Sequence, residues 1–330
     1  MKSSVLIIIS TICCALLAFL LFFTFCLFTS PGSGSVVYDL SFPSGSGIKK
    51  LAIELKKAGV IRSSWHFVIL TRLKGNSHKL KAGEYRLNDG MTPDTILSKI
   101  VSGDVDYRKF TLPEGYSTYQ AAELLEQKGY FNKEDFLKKC RDKLLLAKLG
   151  LKEAASAEGY LYPATYNLPK LCSPEQLLDQ MIGQFNKEFY NITKGEVLEP
   201  VSRHNIVTLA SIIEREAVSS EEKCIISSVF HNRLRVGMPL QSDPTAVYGI
   251  RNQPGKVSKT DIQITSPYNT YLNRGLPPGP IGNPGRDSML AAMNPAKTDY
   301  LYFVARKDGT HQFSRTLEEH NRAVVKYLKH

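Results

Sequence analysis

The stretch FPSGSGIKKLAIELKKAGVI, residues 42–61, returns in altered form seventy residues later as LPEGYSTYQAAELLEQKGYF, residues 112–131. Pro43 aligns with Pro113, Gly45 with Gly115, Ala52 with Ala122, Leu55 with Leu125 and Gly59 with Gly129. Each copy reads as the end of a strand, a Pro-x-Gly turn and an amphipathic helix halted by glycine. Two small α/β units in series are therefore expected.

Working outward, HKLKAGEYRL (residues 78–87) predicts a further strand for the first unit, and TPDTILSKIVSGD a helix capped by Thr92 or Asp94 and ended by Gly103. GEVLEPVSRHN marks a division. Beyond it, Ser202 is the expected N-cap of a helix over Arg203 to Ala217, and Ser219 with Glu222 fits a capping box for a second helix that stops at Gly237. The two would form a helical hairpin. From Gln241 to Gly285 no helical period is visible, and 9 of the 17 prolines fall between Pro239 and Pro295. Tyr248, Tyr268 and Tyr271 are interleaved with those prolines, so the segment reads as an ordered functional loop rather than a disordered one. A short helix near Ser288, a hairpin YLYFVARKDGTHQFS turning at Lys-Asp-Gly, and a terminal helix capped by Thr316 and Glu319 complete an α+β chain.

At the other end, Val5 to Phe28 is a run of 24 residues without a charge. About 20 helical residues cross a bilayer core, so this predicts a membrane span. It is longer than a signal-peptide core and runs into CLFTSPGSGS without a small-x-small cleavage site, which favours a retained anchor. Lys2 and the amino terminus place the short end in the cytoplasm. SPGSGS, residues 30–35, is a flexible tether. Cys13, Cys14 and Cys26 lie in the span. Cys140, Cys172 and Cys224 have no metal-type spacing and build no disulfide framework. The net charge of +11 is scattered along the chain, which fits attraction to anionic lipid or an acidic envelope polymer and argues against nucleic acid.

The chemistry is concentrated in LASIIEREAVSSEE, residues 209–222. Ile206, Val207, Leu209, Ala210, Ile212, Ile213, Ala217 and Val218 make a broad apolar arc, with Glu214 and Glu216 on its two shoulders, about 200° apart. They cannot flank one glycosidic bond together, so at most one is catalytic. A carboxyl held against aliphatic neighbours is a usable proton donor near neutral pH. The alternative is that both are boundary glutamates paired with Arg215, Arg233 or Arg235, and the wheel does not choose between them.

LASIIEREA, SSVFHNRLRVGMPLQSDPTAVYG, SPYNTYLNRGLPPGPIGNPG and LYFVARKDGTHQFSRTLEEHN, in that order, resemble the MltG (YceG-like) family of endolytic murein transglycosylases. The resemblance runs from about residue 36 to the end and includes FPSGSG, LKAGEYRL, LPEGYS and EGYLYPATY. One departure is visible: the family's Pro-Asp-Thr-Tyr is here Pro163-Ala164-Thr165-Tyr166, which leaves any role of that aspartate in doubt.

The resemblance implies an inner-membrane enzyme that cleaves the β-1,4 bond after N-acetylmuramic acid in nascent glycan strands, with Glu214 as catalytic acid. Glu214 would protonate the departing oxygen, then take the proton of the sugar's own primary hydroxyl to close a 1,6-anhydro ring. Residues 1–30 would be stub and anchor, 31–35 tether, 36–105 a LysM-like domain, 106–198 a second small α/β unit and connector, and 199–330 the catalytic domain. Gln241, Asp243, Thr245, Tyr248, Asn269 and Tyr271 have the side chains to hydrogen-bond and stack on sugars, and Glu216 and Asn232 are secondary candidates. His231, His311 and His320 have no spacing that supports metal ligation or a Ser/His pair with Ser314. No cofactor or metal is expected. The expected partners are peptidoglycan strands, membrane lipid through the amino-terminal helix, and wall-synthesis enzymes. Two other functions fit less of the sequence: a non-catalytic peptidoglycan-binding scaffold, and a lysozyme-type hydrolase, which would need a second carboxylate such as Asp243.

Overall fold

The computed structural model describes residues 2–43, 45–105, 107–169, 172–195, 200–217, 219–250 and 257–328. Val218 of the apolar arc and residues 251–256 of the long loop lie outside these. The chain divides into two compact units, one of Met1–Lys109 with Asn167–Cys172, the other of Phe110–Tyr166 with Ser173–His330.

The first unit opens with α1 (Lys2–Phe28), whose stretch Ser10–Phe28 has a mean hydropathy of 2.6 and is long enough to cross a membrane. Strand β1 (Val37–Phe42) leads into α2 (Ile48–Lys57), α3 (Ser64–Leu73), β2 (Gly83–Asn88) and α4 (Pro93–Ser102). β1 and β2 pair antiparallel, from Val37 opposite Asn88 to Phe42 opposite Gly83. Alternation along both strands sends Leu40, Phe42, Tyr85 and Leu87 inward, where they meet Leu51, Ala52 and Leu55 of α2 and Ile96, Leu97 and Ile100 of α4. Thr92 caps α4 by accepting from Thr95 N–H, and Gly103 ends it in the left-handed conformation, as its sequence predicts. The Tyr85 hydroxyl donates to Lys81 O at 2.6 Å, so its burial leaves no orphan polar atom.

The second copy of the repeat has the same local order. β3 (Tyr107–Thr111) is followed by α5 (Thr118–Gln127), α6 (Lys133–Cys140), α7 (Lys143–Lys148) and β4 (Thr165–Pro169), which pairs with β3. Gly59 and Gly129 halt their helices at φ of 75° and 68°, and the turn glycines Gly45 and Gly115 sit at 81° and 74°. These are conformations that residues with a Cβ rarely adopt. The unit division falls within β3 and β4.

Helix α8 (Pro174–Ile192) has no counterpart in the sequence expectations, although Ser173 and Gln176 form a full capping box at its start. It carries Leu177, Leu178, Met181, Ile182, Phe185 and Phe189 into the core. Then come α9 (Pro200–Glu216), α10 (Lys223–Arg235), α11 (Asp243–Val247), α12 (Arg286–Met293), the antiparallel strands β5 (Tyr302–Ala305) and β6 (His311–Ser314), and α13 (Leu317–Leu328). α12 packs on α8, α9 and α10, so the buried Met289, Ala291 and Ala292 lie among three helices. Thr316 and Glu319 exchange bonds in a capping box before α13, as expected.

Three local expectations are corrected. α9 starts at Pro200, which suits a first helical position, so Ser202 lies inside it rather than capping it. Ser219 makes no side-chain cap; residues Ser220–Glu222 form a 3-10 turn, and Glu222 accepts from His311 N–H and pairs with its ring. The segment after Gln241 is not without helix, because Asp243–Val247 winds one turn of α11 where proline at the second position fixes φ.

Leu55 and Leu125 are both fully buried at matched positions of the repeat. Truncating either to alanine is expected to cost about 2–5 kcal/mol by loss of transfer energy plus a cavity. Denaturant titration of both variants measures this, and a loss below about 1 kcal/mol in either would remove that copy from the supporting core.

Candidate active site

The site begins with a turn. In Pro113-Glu114-Gly115, the Gly115 N–H donates to Asn283 O at 2.8 Å, and Asn283 returns two bonds to Tyr116 O, from its backbone N–H at 2.9 Å and its side-chain amide at 2.8 Å. The Asn283 carbonyl oxygen of the side chain accepts from Leu161 N–H at 2.9 Å. Asn283 is fully buried, and its backbone N–H and C=O with its side-chain amide clamp the GNPG loop, residues 282–285, onto this turn and onto Leu161. The approach is close: a Cβ on Gly282 would lie 2.6 Å from Gly115 O, and one on Gly285 would lie 1.9 Å from a Glu114 carboxylate oxygen.

Glu214, on the last turn of α9, faces this clamp. Its Oε2 accepts from Gly285 N–H at 2.8 Å, and its Oε1 accepts from Lys223 Nζ at 3.0 Å. The Glu214 and Lys223 side chains are 7% and 6% exposed, whereas Glu114, 3.9 Å from the same ammonium, is 54% exposed. One buried cation is thus shared between a buried carboxylate and a solvent-reaching one. Partial burial, with repulsion from Glu214, raises the Glu114 carboxyl above its ordinary range, and Lys223 opposes this. A buried carboxylate held by two N–H donors, beside a second carboxyl open to solvent, is a suitable arrangement for acid–base chemistry on an incoming polar substrate.

A sequence profile of the YceG-like family matches residues 40–326. This chain belongs to the YceG-like family. A Bacillus subtilis (strain 168) protein named endolytic murein transglycosylase is 39% identical over 307 residues, covering 88% of this chain and 84% of the relative. A protein of the same name from Streptococcus pneumoniae (strain D39) is 32% identical over 323 residues, covering 88% of this chain and 58% of the relative. A crystal structure of a yceG-like protein from Listeria monocytogenes, 37% identical, aligns with a TM-score of 0.59 over 87% of this chain and 99% of the other.

On the opposite side of α9, Glu216 of this YceG-like chain has different surroundings. Ser242 Oγ donates to it at 2.5 Å, immediately before α11. Burial, reinforced by Asp243, pushes its carboxyl from about 4.5 to about 7, against the pull of Ser242, the Asp243 N–H and Arg233. Neither glutamate forms an ion pair with Arg215, whose guanidinium donates to Ile281 O. Arg233 braces the backbone at Leu240 and Leu301.

Of the loop residues, Gln241 and Asp243 are exposed and Tyr271 is half-buried, with its hydroxyl donating to Asp243 at 2.6 Å. Gln241 holds a left-handed backbone at φ 50°, a strained conformation for a residue with a side chain. Thr245 and Asn269 are fully buried. The Thr245 hydroxyl bonds Ser242 O and Thr270, and the Asn269 amide bonds Ile262 O and Ile264 O, so both act on the loop's own backbone. Asn232 likewise binds Thr298 O and Tyr300 O. The Tyr248 hydroxyl donates to Glu158 at 3.0 Å, beside a cavity of about 340 Å³ lined also by Thr118, Arg141 and Arg215. The backbone oxygen of Ala164 accepts from Leu112 N–H. His311 pairs with Glu222 at 2.7 Å, His231 bonds Ala292 O, and His320 stacks on Tyr302.

Sequence reasoning missed Glu114, Glu158, Lys223 and Asn283. Glu158 is buried, and burial raises its carboxyl despite bonds from Thr118 and Tyr248. Three of the four had a signal within the family-like blocks, where a glutamate sits beside a turn glycine in LPEGYS and EGYLYP and an asparagine lies between glycine and proline in GNPG. Lys223 had none.

Two measurements follow. Asn283→Ala strands buried partners and should cost about 1–3 kcal/mol per lost buried bond, with activity falling more than stability because the clamp positions Gly285 against Glu214; equal, small losses in both would demote the clamp. Glu216, with its carboxyl raised from about 4.5 to about 7, holds its proton more tightly folded than unfolded. The stability this contributes is complete below the lower value and lost as pH rises through the upper one. Denaturant unfolding at about pH 5 and about pH 8 should therefore show wild type losing stability relative to Glu216→Gln over that interval; parallel profiles would refute it.

Proposed function

We propose that this chain is a membrane-anchored endolytic murein transglycosylase, cleaving the β-1,4 bond between N-acetylmuramic acid and N-acetylglucosamine and leaving 1,6-anhydromuramic ends. The observation that carries this reading is the Glu214 carboxyl, held by Lys223 and Gly285 N–H in a chain of the YceG-like family whose curated relatives are named for that activity. As Glu214 protonates the departing oxygen it becomes the anion that these two donors stabilise. As that anion it then accepts the proton of the muramic acid primary hydroxyl, whose oxygen closes the ring. The proton balance is complete within one carboxyl, and no water enters. The exposed Gln241 and Asp243, with Tyr271, are the groups that meet the sugars, while Thr245, Asn269 and Asn232 shape the surface that presents them. Residues 36–105 act as a LysM-like glycan-holding domain and 106–198 as a second unit and connector before the catalytic part, residues 199–330. The apolar α1 is a retained anchor with its short end in the cytoplasm, and wall-synthesis enzymes are the protein partners.

A second reading has one specific observation behind it. A lysozyme-type hydrolase needs another carboxylate to activate water, and Glu114, sharing Lys223 with Glu214, is better placed than Asp243, which is tied to Tyr271. Mass spectrometry of digested glycan strands separates the two, since anhydro ends mark ring closure and reducing ends mark hydrolysis. Glu214→Gln keeps the size and a hydrogen-bonding tip but cannot act as an acid. It should fold and bind glycan while losing roughly 10²–10⁴-fold in turnover. Near wild-type formation of anhydro ends by that variant would exclude Glu214 as the acid.

A further inference from the structure

The last turns of α1 do not stand free of the first unit. Cys26 and Leu27 are buried, Leu27 within the unit's core, and Phe23 packs against the same cluster. Phe23 meets the start of α3, with its ring 6.0 Å from Trp65 and 5.0 Å from His66, and Phe22 lies 6.1 Å from His66. Both His66 ring nitrogens are buried among these rings without a hydrogen-bond partner from the protein. Yet Trp65 remains 55% exposed. Beside it, the Arg62 guanidinium lies 5.0 Å over Phe25 and donates to Ser30 O at 2.6 Å.

These contacts fix a depth. If the hydrocarbon begins near Val5, about 20 residues of helix reach about Thr24. Phe22 and Phe23 then stand where the span leaves the hydrocarbon, and whatever packs beside them shares that level. An indole, apolar in body with one polar N–H, is most stable at that boundary, and an arginine just beyond it reaches phosphate.

We propose that Trp65 at the start of α3 is inserted into the headgroup–hydrocarbon boundary of the membrane that α1 crosses, with Arg62 toward lipid phosphate, so that the first unit rests on the bilayer surface rather than swinging on the tether. This rests on α1 being retained as an anchor. The occupant of the exposed indole face is lipid, because Trp65 packs edge-on against Phe23 of the span, whose helix neighbours Phe22 and Phe25 are exposed as well.

Trp65 is the chain's one tryptophan, so its fluorescence reports the site without interference. The full chain is reconstituted into phosphatidylcholine–phosphatidylglycerol vesicles, and flotation on a density gradient is scored first. Emission should then be blue-shifted, protected from acrylamide, and quenched more by lipid brominated near the head of the acyl chain than near its end. Protein that floats, but whose Trp65 is quenched by acrylamide and untouched by brominated lipid, would overturn the insertion while leaving the anchor standing. Protein that does not float would overturn both.

Discussion

The candidate site depends on the clamp that buried Asn283 makes between two loops far apart in sequence. With its backbone and side chain it binds Gly115, Tyr116 and Leu161 together. The clearance that results is so small that a Cβ at 282 would meet the Gly115 carbonyl oxygen, while one at 285 would displace the Glu114 carboxylate. Gly285 N–H, the donor to Glu214 besides Lys223, belongs to the loop that this clamp holds. An amide suits this position because it both donates and accepts, and a buried amide bonded through both its nitrogen and its oxygen contributes rigidity as well as energy.

Helix α9 then divides the electrostatics. On one shoulder, Glu214 meets a lysine and a backbone N–H, both donors. On the other, Glu216 meets a serine hydroxyl and a nearby aspartate, and burial pushes its carboxyl up to about 7. Two glutamates separated by one residue thus have opposite environments, because a helix turns about 100° per residue and sends them to different neighbours. Glu216 organises the start of α11, and Glu214 meets the open side through Glu114 and Lys223.

Much of this was legible in the sequence where the signal is local. The repeated Pro-x-Gly turn, the caps at Thr92 and Thr316, the glycine stops and the opposite faces of Glu214 and Glu216 follow from backbone preference and helical period. What local pattern could not carry was partnership across the chain. Nothing in KCIISSVF says that Lys223 reaches back to Glu214, and nothing around Asn283 says that it holds residue 116. Ser219–Glu222 shows the converse failure. Its spacing matches a capping box, but Glu222 is better satisfied by His311, a tertiary contact that overrides the local one.

The repeat shows how a site is built on a scaffold that does not require it. Gly45 and Gly115 occupy equivalent turns with nearly the same backbone, yet a Cβ on Gly45 would meet nothing within 4 Å, while one on Gly115 would touch Glu214 Cγ at 3.5 Å. The residue between proline and glycine is serine in the first copy and glutamate in the second. The turn's shape is therefore set by the Pro-x-Gly chemistry that both copies share, and its place in the site by what packs against it. Once α9 and the GNPG loop close on the second turn, the glycine passes from open space into van der Waals range of Glu214, and the adjacent carboxyl becomes one of two that share Lys223. A backbone form that serves only to start a helix in one unit thus positions a reactive group in the other.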